Sequence, residues 1–285
     1  MMRFAIVCLP LVAGLIGAAP MHAAAAALKP ETVDAWNAYV HATEARIARE
    51  IADDAGFLAL DFRPRPESVR GRRDLAAGKI VVSEMTTRAR SGTTIEVPSG
   101  AIHHWRGSVF VPGLALEDVL NNVKHAYSQH EQQEDVLESR VLSRDEDSMR
   151  VFLKLKRSHI VTVVYNTEHD IRYQRQDDGR ASSTSRTTKI AEVVNAGSPG
   201  EREKPQGRDR GFLWRLNSYW RYEQVEGGVI VECESVSLSR DIPTTARLFV
   251  GRVINGVARE SMERTLVNLR DRLVDHRAGA VAAAP

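Results

Sequence analysis

Apolar side chains recur at helical spacing through residues 29–54, with Val33, Trp36, Tyr39, Val40, Ile47 and Ile51 on one stripe. That period predicts an amphipathic helix, with Pro30 and Glu31 in its first turn and Gly56 ending it. The period is lost over residues 56–66, and Arg63-Pro64-Arg65-Pro66 reads as irregular chain. Residues 79–87 predict a strand after Gly78, and Ser91-Gly92 a turn into residues 93–97.

From Gly100 the pattern changes to strands. Residues 101–111 predict a strand closed by Pro112-Gly113. A helix follows over 114–126, with Leu116, Val119, Leu120 and Val123 on one side, and a second short helix over 128–135. Strands are expected over 136–143, 148–157, 160–173 and 181–194. Met149, Val151, Leu153 and Leu155 alternate with Arg150, Phe152, Lys154 and Lys156, as in a half-buried antiparallel strand. Residues 195–210 carry Gly, Pro and charge with no apolar residue beyond Ala196, and read as a loop that forms a mobile flap at one end of the sheet.

The C-terminal region has two apolar stripes that one straight helix cannot bury on one wall. Phe249, Val250, Val253 and Val257 form the first, and Met262, Leu266, Leu269 and Leu273 the second. The expectation is a short helix over 244–254, a break at Asn255-Gly256, a main helix over 258–277 and a frayed, disordered tail over 278–285. The fold class is α+β, an antiparallel sheet with one apolar face that the last helix covers.

The stretch WRLNSYWRYEQVEGGVIVECESVSLSRDIP, from Trp214 to Pro243, predicts a hairpin. With Gly227-Gly228 as a two-residue turn, Trp220 faces Ser235, Tyr222 faces Cys233 and Gln224 faces Val231. One side then sets Trp220 and Tyr222 against Ser218, Ser235, Ser237 and Cys233, and should face inward. Two readings stay open for it. Aromatic and small residues can interlock as plain core, or leave a cavity lined with hydroxyls that suits an amphipathic ligand. The other side carries Arg221, Glu223, Glu232 and Glu234 and is expected to be wet, where an Arg221–Glu234 pair would contribute well under ~1 kcal/mol. A one-residue slip would exchange the two sides.

Residues 1–27, MMRFAIVCLPLVAGLIGAAPMHAAAAA, have one early Arg, an apolar run over 4–19 and then alanines. This is the order of a secretory signal peptide, cleaved between Ala23 and Ala27, and it predicts a periplasmic or secreted protein with no stable membrane span after cleavage. The apolar run is short for the ~20 residues that a spanning helix needs. Cleavage would remove Cys8 and leave Cys233 alone, so no internal disulfide is expected. Net charge is +2, from 39 basic and 37 acidic residues, and gives no strong field toward nucleic acid or an anionic membrane. The cluster Arg70-Gly71-Arg72-Arg73 reads as a solvated face offset by nearby acids.

Candidate chemistry is sparse. His103-His104 lies on a strand, so the two point to opposite faces and do not share a metal. His125 and His130, with Glu131 and Glu134, read as a polar helix end rather than a metal site. No Cys-x-x-Cys, Gly-x-Ser-x-Gly, His-Glu-x-x-His or glycine-rich phosphate loop occurs, so no metal or cofactor is expected. His169 shares a face with Tyr165 and Thr167. It is a candidate general base, with Tyr165 as its possible acid–base companion, or simply a strand-surface histidine. Cys233 reads as packing rather than as a nucleophile.

Three segments carry a resemblance: GAIHHWRGSVFVPG, GFLWRLNSYWRYEQVEGGVIVECESVSLSRDIP and VARESMERTLVNLRDRL. They resemble the START-like, or Bet v 1-like (SRPBCC), superfamily, and most of all a group of bacterial START-like proteins. The resemblance covers about residues 100–276. It implies a helix-grip fold over 100–277, a curved antiparallel sheet around a long C-terminal helix, and leaves residues 28–99 as an N-terminal extension of helix and strand. It also implies a cavity between sheet and helix for a hydrophobic small molecule, lipid-like or aromatic. The expected function is an exported binding protein that does not bind nucleic acid. The alternative is a cyclase- or hydrolase-like enzyme in the same cavity, using His169, Tyr165 or Tyr222 as acid or base.

Overall fold

A computed structural model of the chain describes residues 27–125, 136–158, 162–205, 208–241 and 259–275. The signal segment up to residue 26, the helices expected over 128–135 and 244–254, the break at Asn255-Gly256 and the tail 278–285 lie outside the described residues. The elements are α1 (Pro30–Ile51), α2 (Arg65–Ala76), β1 (Val81–Glu84), β2 (Gly100–Pro112), α3 (Leu116–His125), β3 (Val136–Arg144), β4 (Ser148–Ser158), β5 (Thr162–Arg175), β6 (Arg180–Val194), β7 (Arg202–Glu203), β8 (Arg215–Val225) and β9 (Gly228–Arg240). The helix over 259–275 is α4.

The strands form one antiparallel sheet in the order β1-β2-β9-β8-β6-β5-β4-β3, with β7 pairing β6. Alternation puts Val109 and Val111 of β2, Val229, Val231 and Cys233 of β9, Tyr222 of β8 and Ala181 of β6 on one face. There they meet Met262, Leu266, Leu269 and Leu273 of α4 and Leu116, Val119, Leu120 and Val123 of α3. This is the α+β helix-grip arrangement. The grip is tightest at Gly107, where an added Cβ would lie 2.6 Å from Leu266 Cδ1 and 2.7 Å from Met262 Cγ.

The hairpin register is shifted by two residues from the expected one. Trp220 pairs with Cys233, Tyr222 with Val231 and Val225 with Gly228. The turn is Glu226-Gly227, with Gly227 at φ 78°. Gly228 is a strand residue instead, because a Cβ there would come within 2.2 Å of the Val111 carbonyl oxygen. Side chains alternate with period two, so a shift of two leaves the same residues on each face.

The charged side of the hairpin is not wet. Arg221 is 2% exposed, Glu232 1% and Glu234 2%. The N-terminal segment covers them. Trp36, Tyr39 and Ile47 of α1 pack with Trp214, Tyr219, Val236 and Leu238. Phe57, Leu58, Leu60 and Leu75 pack with Ile230. β1 belongs to the same sheet, pairing with β2 from Val81↔Ser108 to Glu84↔Trp105. Helix α2 was not expected so close to two prolines. Pro64 is its N-cap and Pro66 lies in the first turn, where a missing N–H costs no helix bond. Residues 93–97 form no strand, only the bridge Arg88↔Thr94.

The loop 195–210 is held more firmly than its composition suggested. β7 pairs with Val193 and Val194. Lys154 meets Glu201 at 2.6 Å, and both Lys204 and Arg210 meet the buried Glu192 at 2.7 Å. Charge does here what apolar anchoring could not.

Candidate functional site

The inner face of the sheet is graded in rungs that run across the strands. In the first, Ala181, Tyr222, Val231 and Val109 stand side by side, all buried. In the second, Ser183 faces Trp220, Trp220 faces Cys233 and Cys233 faces Gly107. In the third, Ser185 faces Ser218, Ser218 faces Ser235 and Ser235 faces Trp105. Beyond it Ser237 stands between Leu216 and His103. The face passes from dry and aliphatic to half-buried and hydroxylated within a few residues. Ser218, Ser235, Ser237, Ser185, Trp105 and Trp220 are all half-buried.

Every residue expected at the inner face is therefore there: Trp220, Tyr222, Cys233, Ser218, Ser235 and Ser237. Tyr222 is bound through its hydroxyl to Ser183 Oγ at 3.2 Å. Cys233 is packing. Burial pushes its thiol well above the usual range and the neighbouring Glu234 and Glu232 add to the shift, so no thiolate is on offer. Trp105, His103, Ser183 and Ser185 were missed. Alternation along GAIHHWRG could have placed His103 and Trp105 on the inner face of β2. Ser183 and Ser185 sit in RASSTSRTT, where hydroxyls occupy both faces and parity carries no signal.

Two inner-face donors find no partner among the described residues. Trp105 Nε1 is buried beside the apolar core that α4 covers, and Tyr165 Oη is buried on β5 between Leu155 and Glu192. Burial first, and then the charge of Glu192, raises the Tyr165 phenol, so it stays protonated and can only donate or accept a hydrogen bond near neutral pH.

His169 is tied up. Thr167 Oγ1 donates to the Leu153 carbonyl at 3.0 Å, so its contact with His169 Nε2 at 2.9 Å must be donated by the imidazole. The remaining nitrogen, Nδ1, faces Ser185 Oγ at 3.4 Å. Burial drives this imidazole down to about 4, against a weak opposing pull from Asp170. A general base works best near the operating pH, and a neutral, buried imidazole this weak is poorly matched to that task. The strand neighbours of Tyr222, Ala181 and Val231, supply no histidine or carboxylate. His103 points inward to Ser239 Oγ at 2.9 Å and burial lowers it too. His104 points outward, 2.7 Å from Glu234.

The outer face holds a second polar cluster of a different kind. Arg221 donates to Glu50 at 2.6 Å and to the Phe57 carbonyl at 2.7 Å. Arg46 bridges Glu50 and Glu234. Glu232 accepts from Ala59 N at 2.6 Å, Leu60 N at 3.2 Å and Ser108 Oγ at 3.0 Å. Burial pushes the Glu234 carboxyl up, but the His104 hydrogen bond and the Arg46 and Arg221 charges more than offset it and hold it at about 2. These groups pair with one another and are closed off by α1, although Glu234 Oε2 and Arg106 Nη1 find no hydrogen-bond partner among the described residues, so the cluster fastens the N-terminal segment to the sheet. Among the described residues no three histidine, cysteine or acidic side chains converge as a metal site, and no helix is long and apolar enough to cross a membrane.

Neither a family model nor a curated protein matches the chain. Solved structures do. A fragment of the STAR-related lipid transfer protein from Xanthomonas axonopodis is 18% identical, covers 67% of this chain and 98% of its own, and has a TM-score of 0.43. Human STARD10 is 8% identical over 81% of this chain and 86% of its own, at a TM-score of 0.41. The Zhui aromatase/cyclase from a Streptomyces species is 14% identical over 61% and 88%, at 0.31.

Proposed function

We propose that this protein holds a hydrophobic or amphipathic small molecule, lipid-like or aromatic, against the inner face of its sheet beneath α4, and that it does so after export to the periplasm or beyond. The observation that carries the reading is the buried donor Trp105 Nε1–H, without a partner among the described residues, in the rung that also bears the half-buried hydroxyls of Ser185, Ser218 and Ser235. A buried donor without a partner costs about 1–3 kcal/mol, and a bound molecule with acceptor atoms would recover that cost. The apolar rungs beside them suit an acyl or aromatic body. The tied, weakly basic His169 gives no support to the cyclase- or hydrolase-like alternative.

Native mass spectrometry of the protein purified from its host tests both halves. The chain should begin near Ala24 and carry an adduct lost on denaturation in organic solvent. Trp105→Phe should lower the affinity for an amphipathic fluorescent fatty acid severalfold while leaving a purely apolar probe unaffected, and Tyr165→Phe, well removed from that rung, serves as the control. Adduct-free protein, with both probes bound equally by parent and variants, would overturn the binding reading. A full-length chain retained in the cytoplasm would overturn export.

A further inference from the structure

Helix α2 packs on the sheet through one narrow side. Gly71 and Leu75 are buried, and an added Cβ at Gly71 would lie 2.6 Å from Leu60 Cδ1. Arg72 fixes the helix laterally, bonding Asp61 and Glu223 at 2.6 Å each. The opposite side carries Arg65, Val69 and Arg73 at i, i+4 and i+8, one straight ridge along the helix, with Arg70 beside it. All four are exposed, Val69 at 61%, and Phe62 just before the helix is 37% exposed.

The charges of this segment are sorted. Arg63 is paired with Glu67, Lys79 with Asp74, and Arg72 with Asp61 and Glu223. Arg65, Arg70 and Arg73 make no ion pair among the described residues. The acids that were expected to neutralise the cluster are ion-paired with other cations, and although Asp74 still feels the charges of Arg73 and Arg70, all three arginines are exposed. The near-zero balance of the whole chain hides this segregation.

We propose that this ridge is a docking surface for an anionic lipid bilayer. Guanidinium groups suit lipid phosphates, and the apolar pair Val69 and Phe62 suits the boundary between headgroup and acyl chain, as on an amphipathic interfacial helix. That apolar component separates a bilayer from nucleic acid or an acidic polypeptide. Neither has a use for an aliphatic side chain between two arginines. The surface lies on α2, on the outer side of the sheet, so the proposal is independent of whether the inner face holds a ligand.

The test is flotation of the chain as recovered from its host with vesicles of phosphatidylcholine, with and without phosphatidylglycerol. Binding should require phosphatidylglycerol and fall steeply with added salt. Each basic residue near an anionic surface is worth about fivefold in partitioning, so Arg65→Gln with Arg73→Gln should lose about twenty-five-fold. Val69→Asn should weaken binding while keeping its salt dependence. All three positions are exposed, and unchanged thermal melting of the variants establishes that they fold. Equal flotation with both lipid mixtures, or binding that the double arginine variant retains, would overturn the proposal. So would capture by polyglutamate or DNA in place of vesicles.

Discussion

Arg221 and Glu50 lie 171 positions apart in the chain and meet at 2.6 Å, both buried, between β8 and α1. The pair joins the segment before Gly100 to the sheet after it. Both partners are otherwise engaged: the second arm of Arg221 is spent on the Phe57 carbonyl, and Glu50 also accepts from Arg46.

Removing one member should therefore be costly. Arg221→Met leaves Glu50 and Glu232 short of a counter-charge in a dry setting, and is expected to cost about 3–5 kcal/mol. Arg221→Met with Glu50→Leu should recover a large part of that loss, because both charges then leave together. Urea unfolding of the single and double variants checks it. With Glu50→Leu alone measured beside them, a double loss equal to the sum of the two single losses would show that the pair is not coupled.

Stability should fall as the solution is acidified below neutrality, before carboxylates begin to protonate. His169 titrates at about 4 in the folded chain against an ordinary 6.5. Between those values the unfolded chain binds a proton that the folded chain refuses, so stability rises with pH through that window and is lost as pH falls. The shift corresponds to about 3 kcal/mol. His169→Gln should remove the larger part of this limb and leave the share of His103, which burial also lowers. Glu234, held at about 2 against 4.5, adds a further loss only below pH 4.5. Chemical denaturation at stepped pH separates the two.

Gly107→Ala should destabilise by about 1–3 kcal/mol, since the new methyl needs space that Leu266 and Met262 fill. In a Met262→Ala background the same change should cost less. Thermal melting of the four chains gives the coupling directly. An unaltered cost would place the obstruction elsewhere than α4.

Trp220 is half-buried and faces Ser183 and Cys233. A fully packed aromatic loses about 3–5 kcal/mol on truncation to alanine. A side chain on a ligand-lined wall has fewer contacts to lose, so Trp220→Ala should cost ~1–2 kcal/mol and change the binding of an apolar fluorescent probe. A loss at the top of the core range with unaltered probe binding would favour a filled core.

What the sequence determined by itself is local. Period-two alternation set the strands from Gly100 onward, period 3.6 set α1, α3 and α4, and the parity of the hairpin put Trp220 and Tyr222 on one side with Ser218, Ser235 and Cys233. That parity survived a register error of two, because only an odd slip exchanges faces. Three things were decided by the tertiary structure. The turn moved to Glu226-Gly227 because Gly228 sits against the Val111 carbonyl, a contact with another strand. Among the described residues nothing arrives to bond Trp105 Nε1 or Tyr165 Oη, which no local pattern encodes. The charged side of the hairpin became interior because Arg46, Glu50 and the backbone of Ala59 and Leu60 are delivered onto it from 171 to 188 positions away. A row of arginines and glutamates has the same alternation whether water or a helix covers it. The counter-charges brought by the fold make burial tolerable, and they are legible only once the chain has come together.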